Sequence, residues 1–117
     1  MKILEIYGKA INVVDEIEKF SKVFMRKLPC LYIIWKDNKV IYVGSSEDCV
    51  ERLKKHFKYK NPNSSIFIKH YLRYYGSLQG IEDCFVIVQV FDNVLEVREG
   101  EVNTIKILKP LFNVKYK

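Results

Sequence analysis

Cysteine is scarce in this chain, and the spacing of the few cysteines argues against two common kinds of small domain. Cys30, Cys49 and Cys84 are odd in number, lie far apart and form no C-x-x-C pair. No histidine cluster lies beside them in the sequence. We therefore expect neither a structural zinc site nor a framework of disulfides, and reduced thiols in an intracellular compartment are the default.

The sequence also lacks linkers, internal repeats, low-complexity stretches and long apolar runs. No stretch rich in proline, glycine or serine divides the 117 residues, so one domain is expected. No apolar run approaches the ~20 residues of a membrane span. Acidic residues interrupt the N-terminal region, where a signal peptide would have its apolar core. These absences predict a cytoplasmic protein with no membrane partner.

What is present is a hydrophobic, aromatic and basic composition. Hydrophobic residues make up 49% and aromatic residues 14% of the chain, as a packed domain requires. The formal charge of +6 favours an anionic partner such as DNA. Much of the positive charge lies in residues 51–73, where it is interleaved with aromatic side chains. From charge alone, a solvated helix face explains this cluster equally well.

Hydropathy patterns predict an N-terminal extension followed by a hairpin. Residues 2–7 favour a short strand, and apolar residues at helical spacing predict a helix from about residue 12 to residue 28. This helix should end there because Pro29 disfavours helical geometry in the residue before it. Two β-rich runs around an Asp-Asn turn predict an antiparallel hairpin that Gly44 ends. We assign residues 1–28 to the extension and residues 29–117 to the main domain.

The remaining patterns predict three helices and one strand. Asp48 and Glu51 resemble a capping box at the start of one helix, and Gly76 ends the next. An apolar run over residues 84–91 predicts a strand, and a last helix spans about residues 94–108. The predicted fold is α+β, with a small central antiparallel sheet of about three strands flanked by helices.

The last predicted helix places a carboxylate among apolar residues. At 100° per residue, Glu101 lies in the middle of an apolar arc. The arc consists of Val94, Val97, Ile105 and Leu108. An isolated buried charge is too costly, so such a carboxylate must be paired, protonated or bound to a metal. Taken alone, an ion pair with Arg52 or Arg98 is favoured over a metal site.

Four other side chains have suitable chemistry and also an ordinary structural explanation. Arg52 and His56 are four residues apart and share a helix face. Taken alone, His56 is interpreted as a surface histidine among lysines. Tyr32 and Tyr42 alternate with apolar neighbours in the hairpin, and each alone is interpreted as a core tyrosine with a satisfied hydroxyl. Only the combination favours a catalytic site.

The combination of motifs resembles the GIY-YIG nucleases. The hairpin reads C-L-Y at residues 30–32 and Y-V-G at residues 42–44, similar to the paired G-I-Y and Y-I-G signatures. The run YVGSSEDCVERLKKHF resembles the segment in which a helix after the glycine carries an arginine. The runs SSIFIKHYLRYYG and EVNTIKILKPLFNV resemble the later helix and the closing glutamate segment. The resemblance extends over about residues 29–117.

This resemblance implies a metal-dependent endonuclease that hydrolyses phosphodiester bonds in DNA. Glu101 would bind one Mg²⁺ or Mn²⁺, and Arg52 would bind the scissile phosphate. Tyr32 would orient or deprotonate the attacking water, and Tyr42 would support it. His56 would relay the proton or bind phosphate.

Supporting and DNA-binding positions follow from the resemblance and from the charge pattern. Gly44 belongs to the Y-V-G motif. Asn113 follows Glu101 by twelve residues and would hold the glutamate helix or the tyrosine loop by hydrogen bonding. Six basic residues would grip the DNA backbone without reading its sequence. They are Lys54, Lys55, Lys58, Lys60, Lys69 and Arg73.

The sequence departs from the family pattern at two positions, and two other functions remain as alternatives. Cys30 replaces the first glycine, and Ser45 stands where excision-repair members carry a lysine and homing members a serine, so the proton acceptor is not fixed. The alternative functions are a non-catalytic nucleic-acid-binding module on the same scaffold and a protein-interaction domain with a basic face. Target choice would come from a separate targeting protein, from a homodimer formed through the 13–24 face, or not at all.

Overall fold

Strands and helices follow one another along the chain, and the computed structural model describes residues 1–116. The strands are β1 (Lys2–Lys9), β2 (Cys30–Lys36), β3 (Lys39–Ser46) and β4 (Phe85–Phe91). The helices are α1 (Ala10–Phe24), α2 (Cys49–Lys54), α3 (Ile66–Tyr75) and α4 (Val94–Leu108). A π-helical turn, Lys55–Tyr59, follows α2, and a 3-10 turn, Ile81–Asp83, precedes β4. The predicted α+β class is confirmed.

All four strands form one antiparallel sheet in the order β1-β4-β2-β3. The fourth strand is β1, which pairs with β4 from Lys2 opposite Phe91 to Lys9 opposite Phe85. The expected count of about three strands is therefore one too low. The predicted strand at residues 2–7 exists, but its pairing with a strand about 80 residues further along the chain leaves no local signal.

The hairpin prediction is confirmed, except for its end. Asp37 and Asn38 join β2 and β3 with φ angles of 51° and 62°, the left-handed geometry of a tight hairpin turn. However, β3 does not end at Gly44 but continues to Ser46. Gly44 lies inside the strand, directly opposite Tyr32.

Helix α1 ends earlier than predicted. Met25 takes a left-handed conformation with φ 55°, and its N–H donates to the Ser21 carbonyl at 3.0 Å. A left-handed residue of this kind closes a helix, whereas Pro29 restricts only the residue before it. The prediction of an end near Leu28 was therefore about one turn too late.

Helices cover both faces of the sheet. On one face, α1, α2 and α3 pack against the strands in a single core. On the other face, Val97 and Ile105 of α4 pack against Leu31 and Val43. Burying an aliphatic side chain of this size contributes roughly 1.5–3 kcal/mol. None of the helices in residues 1–116 has the length and apolarity needed to cross a lipid bilayer.

The apolar face of α1 is divided between the core and the surface. Val13 and Ile17 are buried in the main core, so they are not free to contact a second copy. Phe20 and Phe24, one to two turns further on, are 36% and 42% exposed. The dimer surface predicted over residues 13–24 is thus reduced to its C-terminal half, and dimerisation itself stays a prediction.

Side-chain caps begin the three helices that carry most of the candidate residues. The Glu51, Ile68 and Glu96 N–H groups donate to the side chains of Asp48, Ser65 and Asn93, at 3.3, 3.1 and 3.0 Å. Such caps contribute about 1 kcal/mol each. The capping box at α2 has one arm rather than two, because the Asp48 N–H donates to the Ser46 hydroxyl at 3.0 Å.

Candidate active site

Gly44 allows a side chain to cross the hairpin. A Cβ at this position would lie 2.4 Å from both Cζ and Oη of Tyr32, which real side chains do not tolerate. The glycine of the Y-V-G motif therefore leaves the space that the Tyr32 ring occupies. Because of this close approach, the Tyr32 hydroxyl passes over β3 and reaches the segment after α2.

The Tyr32 hydroxyl begins a buried chain of hydrogen bonds. Its oxygen lies 2.7 Å from Nε2 of His56, and Nδ1 of His56 lies 2.7 Å from Oγ of Ser65. Ser65 also accepts the Ile68 N–H as the cap of α3. One imidazole therefore connects β2 to the start of α3, and both of its nitrogens have partners.

Burial keeps Tyr32 and His56 neutral. Burial, and then the positive charges of Arg52 and Lys55, lower the pKa of His56 to about 3. Burial also raises the pKa of Tyr32 well above its usual value, and the neighbouring Tyr42 adds to the rise. Arg52 opposes this rise without reversing it. At neutral pH the pair therefore shares a hydrogen bond between two uncharged groups.

The interpretation of His56 as a surface histidine is wrong. The π-helical turn Lys55–Tyr59 widens the end of α2, and His56 and Phe57 are both buried on it. Aromatic rings enclose the imidazole, with the Phe67 centroid 5.3 Å and the Tyr42 centroid 6.2 Å away. Widened turns of this kind occur frequently at functional sites. Their position could not be read from a sequence pattern that fits an ordinary helix.

Glu101 and Arg52 line the same cavity. Its volume is about 440 Å³, and it lies between α4, the end of β3 and the start of α2. Both side chains are only partly buried. The cavity also has Lys27, Ser45, Ser46, Glu47, Asp48 and Arg98 in its lining. A carboxylate and a guanidinium therefore face one open space large enough for a small anionic group.

The carboxylate of Glu101 has no ion-pair partner. Among residues 1–116, no Lys, Arg or His nitrogen lies within 4.0 Å of it, and Arg98 pairs with Glu47 at 3.3 Å instead. Burial raises the pKa of Glu101 above its usual value. The side chain and backbone of Ser45 lower it, as do the charges of Arg52 and Arg98. The ion pair weighed in the sequence analysis is therefore absent from the described structure.

Tyr42 is the tyrosine that borders open space. It lines a second cavity, of about 320 Å³, together with Glu101 and Asn113. Burial and then the nearby Glu101 carboxylate raise the pKa of Tyr42, while Arg52 opposes both. Tyr32, by contrast, is 0% exposed. The two tyrosines, whose ring centroids lie 6.2 Å apart, thus differ in their access to solvent.

Asn113 holds β3 from its outer side. The Val43 N–H donates to Oδ1 of Asn113, and Nδ2 of Asn113 donates to the Val43 carbonyl, both at 2.9 Å. The N–H groups of Leu111 and Phe112 donate to carbonyls of β3 as well. The amide therefore fixes the strand residue between Tyr42 and Gly44.

Three of the six predicted DNA-binding residues already have acidic partners. Lys54 pairs with Glu18 and Lys58 with Asp15, each at 3.3 Å. Lys60 pairs with Glu82. In the part of the chain that the structure describes, Lys55, Lys69 and Arg73 have no ion pair. The basic surface is thus weaker along α2 and its π-helical turn than the sequence suggested, because α1 brings carboxylates against it.

Sequence analysis missed two residues that the structure brings to the site. Ser65 has a local signal, since a serine before an apolar helix is a preferred cap. Its contact with His56 has none. His70 lines the cavity that Tyr42 and Glu101 share. No spacing between Glu101 and His70 in the sequence indicates that they line one cavity.

The donor set at Glu101 fits one hard divalent cation. Within residues 1–116, no group of three or more His, Cys, Asp and Glu side chains could surround a metal ion, so a metal ion there would have to rely on few protein ligands, with Glu101 as the candidate carboxylate. Mg²⁺ is commonly held by one or two carboxylates, with water and substrate phosphate oxygens completing its coordination. An unpaired, half-buried carboxylate that faces an open cavity suits that arrangement.

The four-stranded sheet, the glycine that lets Tyr32 cross the hairpin and the cavity shared by Arg52 and Glu101 define a nuclease-type fold. The family model of the GIY-YIG catalytic domain matches residues 28–117, which is 90 of the 117 residues. The chain belongs to the GIY-YIG family, whose members are generally endonucleases. No curated protein and no solved structure matches the chain.

Proposed function

We propose that this protein is a metal-dependent endonuclease that hydrolyses phosphodiester bonds in DNA. The observation that carries the proposal is the unpaired Glu101 carboxylate, which lines a cavity with Arg52. An ordinary structural glutamate at this depth would have a cationic partner, because leaving a charge uncompensated there is costly. A carboxylate kept without one suits a cation that arrives with the substrate.

Glu101 would hold Mg²⁺ or Mn²⁺ through a carboxylate oxygen. The cation, when bound, would neutralise charge on the phosphate and lower the pKa of a coordinated water. Burial raises the pKa of Glu101, and Ser45 and Arg52 oppose that rise by favouring the ionised form that a cation would bind. Ser45 thus orients the carboxylate, which is a role that a lysine at this position would not fill in the same way.

Arg52 would bind the non-bridging oxygens of the scissile phosphate. Its planar guanidinium can donate two parallel hydrogen bonds to a phosphate. The Tyr32 hydroxyl interacts with Arg52. The buried Tyr32–His56 pair is neutral, so it does not compete for the positive charge. In this arrangement Tyr32 and His56 are positioning residues for Arg52.

Tyr42 would orient the attacking water. It borders the cavity with Glu101, whereas Tyr32 has no access to solvent. This assignment exchanges the roles that the motif resemblance suggested for the two tyrosines. Removing the hydroxyl of a group that positions or accepts a proton typically slows a reaction by about 10²–10⁴-fold. Tyr42→Phe should therefore slow cleavage more than Tyr32→Phe does.

Nicking of supercoiled plasmid tests the proposal. We expect conversion to open circles with Mg²⁺ or Mn²⁺ and none with EDTA. Arg52→Lys should slow nicking at least tenfold, because an ammonium cannot reproduce the two parallel hydrogen bonds. Arg26→Lys, a change at an exposed arginine outside the cavity, is the matched control and should have no effect. Equal nicking in EDTA would rule out the metal.

The alternative function is a nucleic-acid-binding module without catalysis. The complete burial of Tyr32 favours it, because a tyrosine closed off from solvent contributes nothing to water activation. The same assay separates the two functions when it is combined with a binding measurement. A protein that binds plasmid tightly in Mg²⁺ yet leaves it supercoiled is a binding module.

A further inference from the structure

A groove runs from the candidate active site along the outer side of α3. It consists of two adjoining cavities, of about 320 and 300 Å³, between α3 and residues 111–116. The two cavities share His70, Phe112 and Val114. The first cavity also contains Tyr42 and Glu101, so one end of the groove opens at the site of the proposed chemistry.

The two walls of the groove come from segments that contain no Asp or Glu. All 14 acidic residues lie in residues 1–51 and 82–101, so the charged side chains of residues 52–81 and 102–117 are all basic. Lys69 and Arg73 lie on α3, which forms one wall, and Lys115 lies on the other. No ion pair neutralises these three within residues 1–116. The groove is therefore complementary to an anionic strand.

The lining of the groove is apolar and aromatic rather than polar. Ile66, His70 and Tyr74 succeed one another every four residues and so form one edge of α3. The His70 ring stacks on Phe112, with centroids 5.8 Å apart and an interplanar angle of 18°. Ile66, Tyr74 and Val114 are 65%, 56% and 81% exposed. Surfaces of this kind offer faces on which flat rings can stack.

His70 adds to this lining as a neutral ring. Partial burial and then the charges of Arg73 and Lys69 lower its pKa. At neutral pH the imidazole therefore contributes a stacking surface, and the neighbouring cations contribute the charge.

The combination distinguishes single strands from duplex. In a duplex the faces of the bases are covered by their neighbours, and a protein that grips its backbone needs only charged and polar contacts. An unpaired strand exposes its base faces, and aromatic side chains in a cationic groove are how proteins bind such strands. An apolar, aromatic floor between basic walls has a use only for the second kind of ligand.

We propose that this groove binds unpaired nucleotides of DNA next to the scissile phosphate. The position of the phosphate rests on the proposed endonuclease function, whereas the groove's charge and lining do not. The substrate class is then DNA in which a duplex continues as a single strand at the point of cleavage.

Binding measured without metal tests the groove independently of cleavage. Fluorescence anisotropy in EDTA would compare a labelled oligothymidine strand with a labelled blunt duplex. Tyr74→Ala should weaken oligothymidine binding at least about fivefold, the lower end of the effect of removing one stacking ring. Tyr74→Phe should restore it. Tyr59→Ala is the matched control, because Tyr59 is 57% exposed and outside the groove.

A second variant guards against loss of folding in Tyr74→Ala. Val114 is 81% exposed, so Val114→Glu adds a negative charge to the groove without disturbing the core. It should also weaken oligothymidine binding several-fold and change duplex binding less than twofold. Equal losses for strand and duplex, or no loss for the strand in Val114→Glu, would overturn the proposal.

Failure of the groove and failure of the proposed function give different results. If the protein nicks plasmid but its groove variants bind oligothymidine as the parent does, the proposed function is supported and the groove proposal is wrong. If Tyr74→Ala and Val114→Glu weaken oligothymidine binding in EDTA but the parent never nicks plasmid with Mg²⁺, the groove proposal is supported and the proposed function is wrong.

Discussion

The environment of Glu101 allows a mutation to distinguish a structural role of this side chain from a functional one. A buried ion pair that loses one partner typically costs ~3–5 kcal/mol, but this carboxylate has no such partner among residues 1–116. We therefore predict that Glu101→Ala abolishes nicking and lowers Mn²⁺ affinity, while the metal-free protein keeps its stability within about 1 kcal/mol. Glu101→Gln should behave in the same way. Denaturant midpoints, plasmid nicking and Mn²⁺ titration would be measured together.

Glu99→Ala serves as the control for this prediction, since Glu99 is exposed on the same helix. It should change none of the three quantities. If Glu101→Ala instead unfolds easily but cleaves in proportion to its folded fraction, then Glu101 is a structural partner and the proposed metal ligand is wrong.

The close approach of Tyr32 to Gly44 leads to a prediction about packing. A methyl group there would meet Cζ and Oη of Tyr32 at 2.4 Å. Gly44→Ala should therefore displace the tyrosine, break its hydrogen bond to His56 and lower the free energy of unfolding by about 1–3 kcal/mol. Gly100→Ala is the control, because its new methyl would lie 3.4 Å from Leu31 and alanine favours the helix. A denaturant midpoint unchanged by Gly44→Ala would contradict the close approach.

The lowered pKa of His56 leads to a prediction about how stability depends on pH. Burial lowers its pKa from 6.5 in the unfolded chain to about 3 in the folded protein. Between these values the unfolded state binds the extra proton. Stability should therefore fall as the pH drops below about 6.5, by up to ~1.4 kcal/mol per pH unit. Above that pH the group has no effect. Chemical unfolding at pH 5.0 to 7.5 measures the slope. This pH range lies above the pKa values of most carboxylates, so their titration contributes little to it.

Replacing His56 with glutamine should flatten that slope even if it lowers stability at every pH. His70→Gln is the comparison, since His70 is only half-buried and should affect the slope less. A slope that survives in His56→Gln would mean that another group, not His56, is responsible.

The candidate residues differ in how far sequence alone could predict them. Glu101 was singled out because helix geometry is local, and 100° per residue is enough to find a carboxylate on an apolar face. The burial of His56 was not predictable, because it depends on a widened turn and on rings contributed by α3 and β3. The missing partner of Glu101 was also invisible, since pairing is decided by distances between separate elements.

At the scale of elements, helix α1 neutralises part of the positive charge in the basic stretch that follows the hairpin. Its Asp15 and Glu18 pair with Lys58 and Lys54 at 3.3 Å. Exposed ion pairs contribute little to stability, but they do reduce the positive potential available to DNA. The walls of the groove along α3 carry no such pairs within residues 1–116.

This difference predicts unequal salt dependence. The logarithm of DNA affinity should fall linearly with the logarithm of salt concentration, by about 0.9 per phosphate neutralised. The double change Lys69→Ala with Arg73→Ala should reduce that slope by about 1 to 2. Lys54→Ala with Lys58→Ala should reduce it by less, because those lysines are already paired. Salt titrations of duplex and oligothymidine binding would measure both, and a larger effect from the second pair would contradict this account.

Local chemistry made most elements predictable, and long-range pairing made others unpredictable. The Asp-Asn turn, the cap at Asp48 and the stop at Gly76 all act within a few residues, so the hairpin and the two helices after it could be predicted. The end of α1 at Met25 has no glycine to mark it. The pairing of β1 with β4 joins strands about 80 residues apart in the sequence, and no local pattern indicates it.

At the scale of the molecule, the N-terminal segment is part of the shared core. Strand β1 forms one edge of the sheet, and Ile6, Val13 and Ile17 are buried in the main core. The division into residues 1–28 and 29–117 therefore has an energetic cost if the parts are separated. Removing three buried aliphatic side chains alone forfeits several kcal/mol, which is comparable to the whole stability of a small domain.

We accordingly predict that a chain starting at residue 29 does not fold cooperatively. Near-ultraviolet circular dichroism and urea unfolding would compare it with the full chain. The full chain should show one cooperative transition, and the shortened chain a weak, gradual one. A shortened chain with a sharp transition and an unchanged midpoint would show that residues 29–117 form an independent domain, as the sequence division implies.

Ser65 links the order of assembly to the completion of the active site. The same hydroxyl oxygen caps α3 and lies 2.7 Å from His56, whose other nitrogen meets Tyr32. Until α3 docks, the imidazole lacks its second partner, and a buried nitrogen without one is costly. A folding intermediate with the hairpin formed and α3 detached would therefore keep His56 in water and Tyr32 loose. Under the proposed function, cleavage therefore requires α3 to be docked, because only then is the Tyr32–His56–Ser65 chain of hydrogen bonds complete.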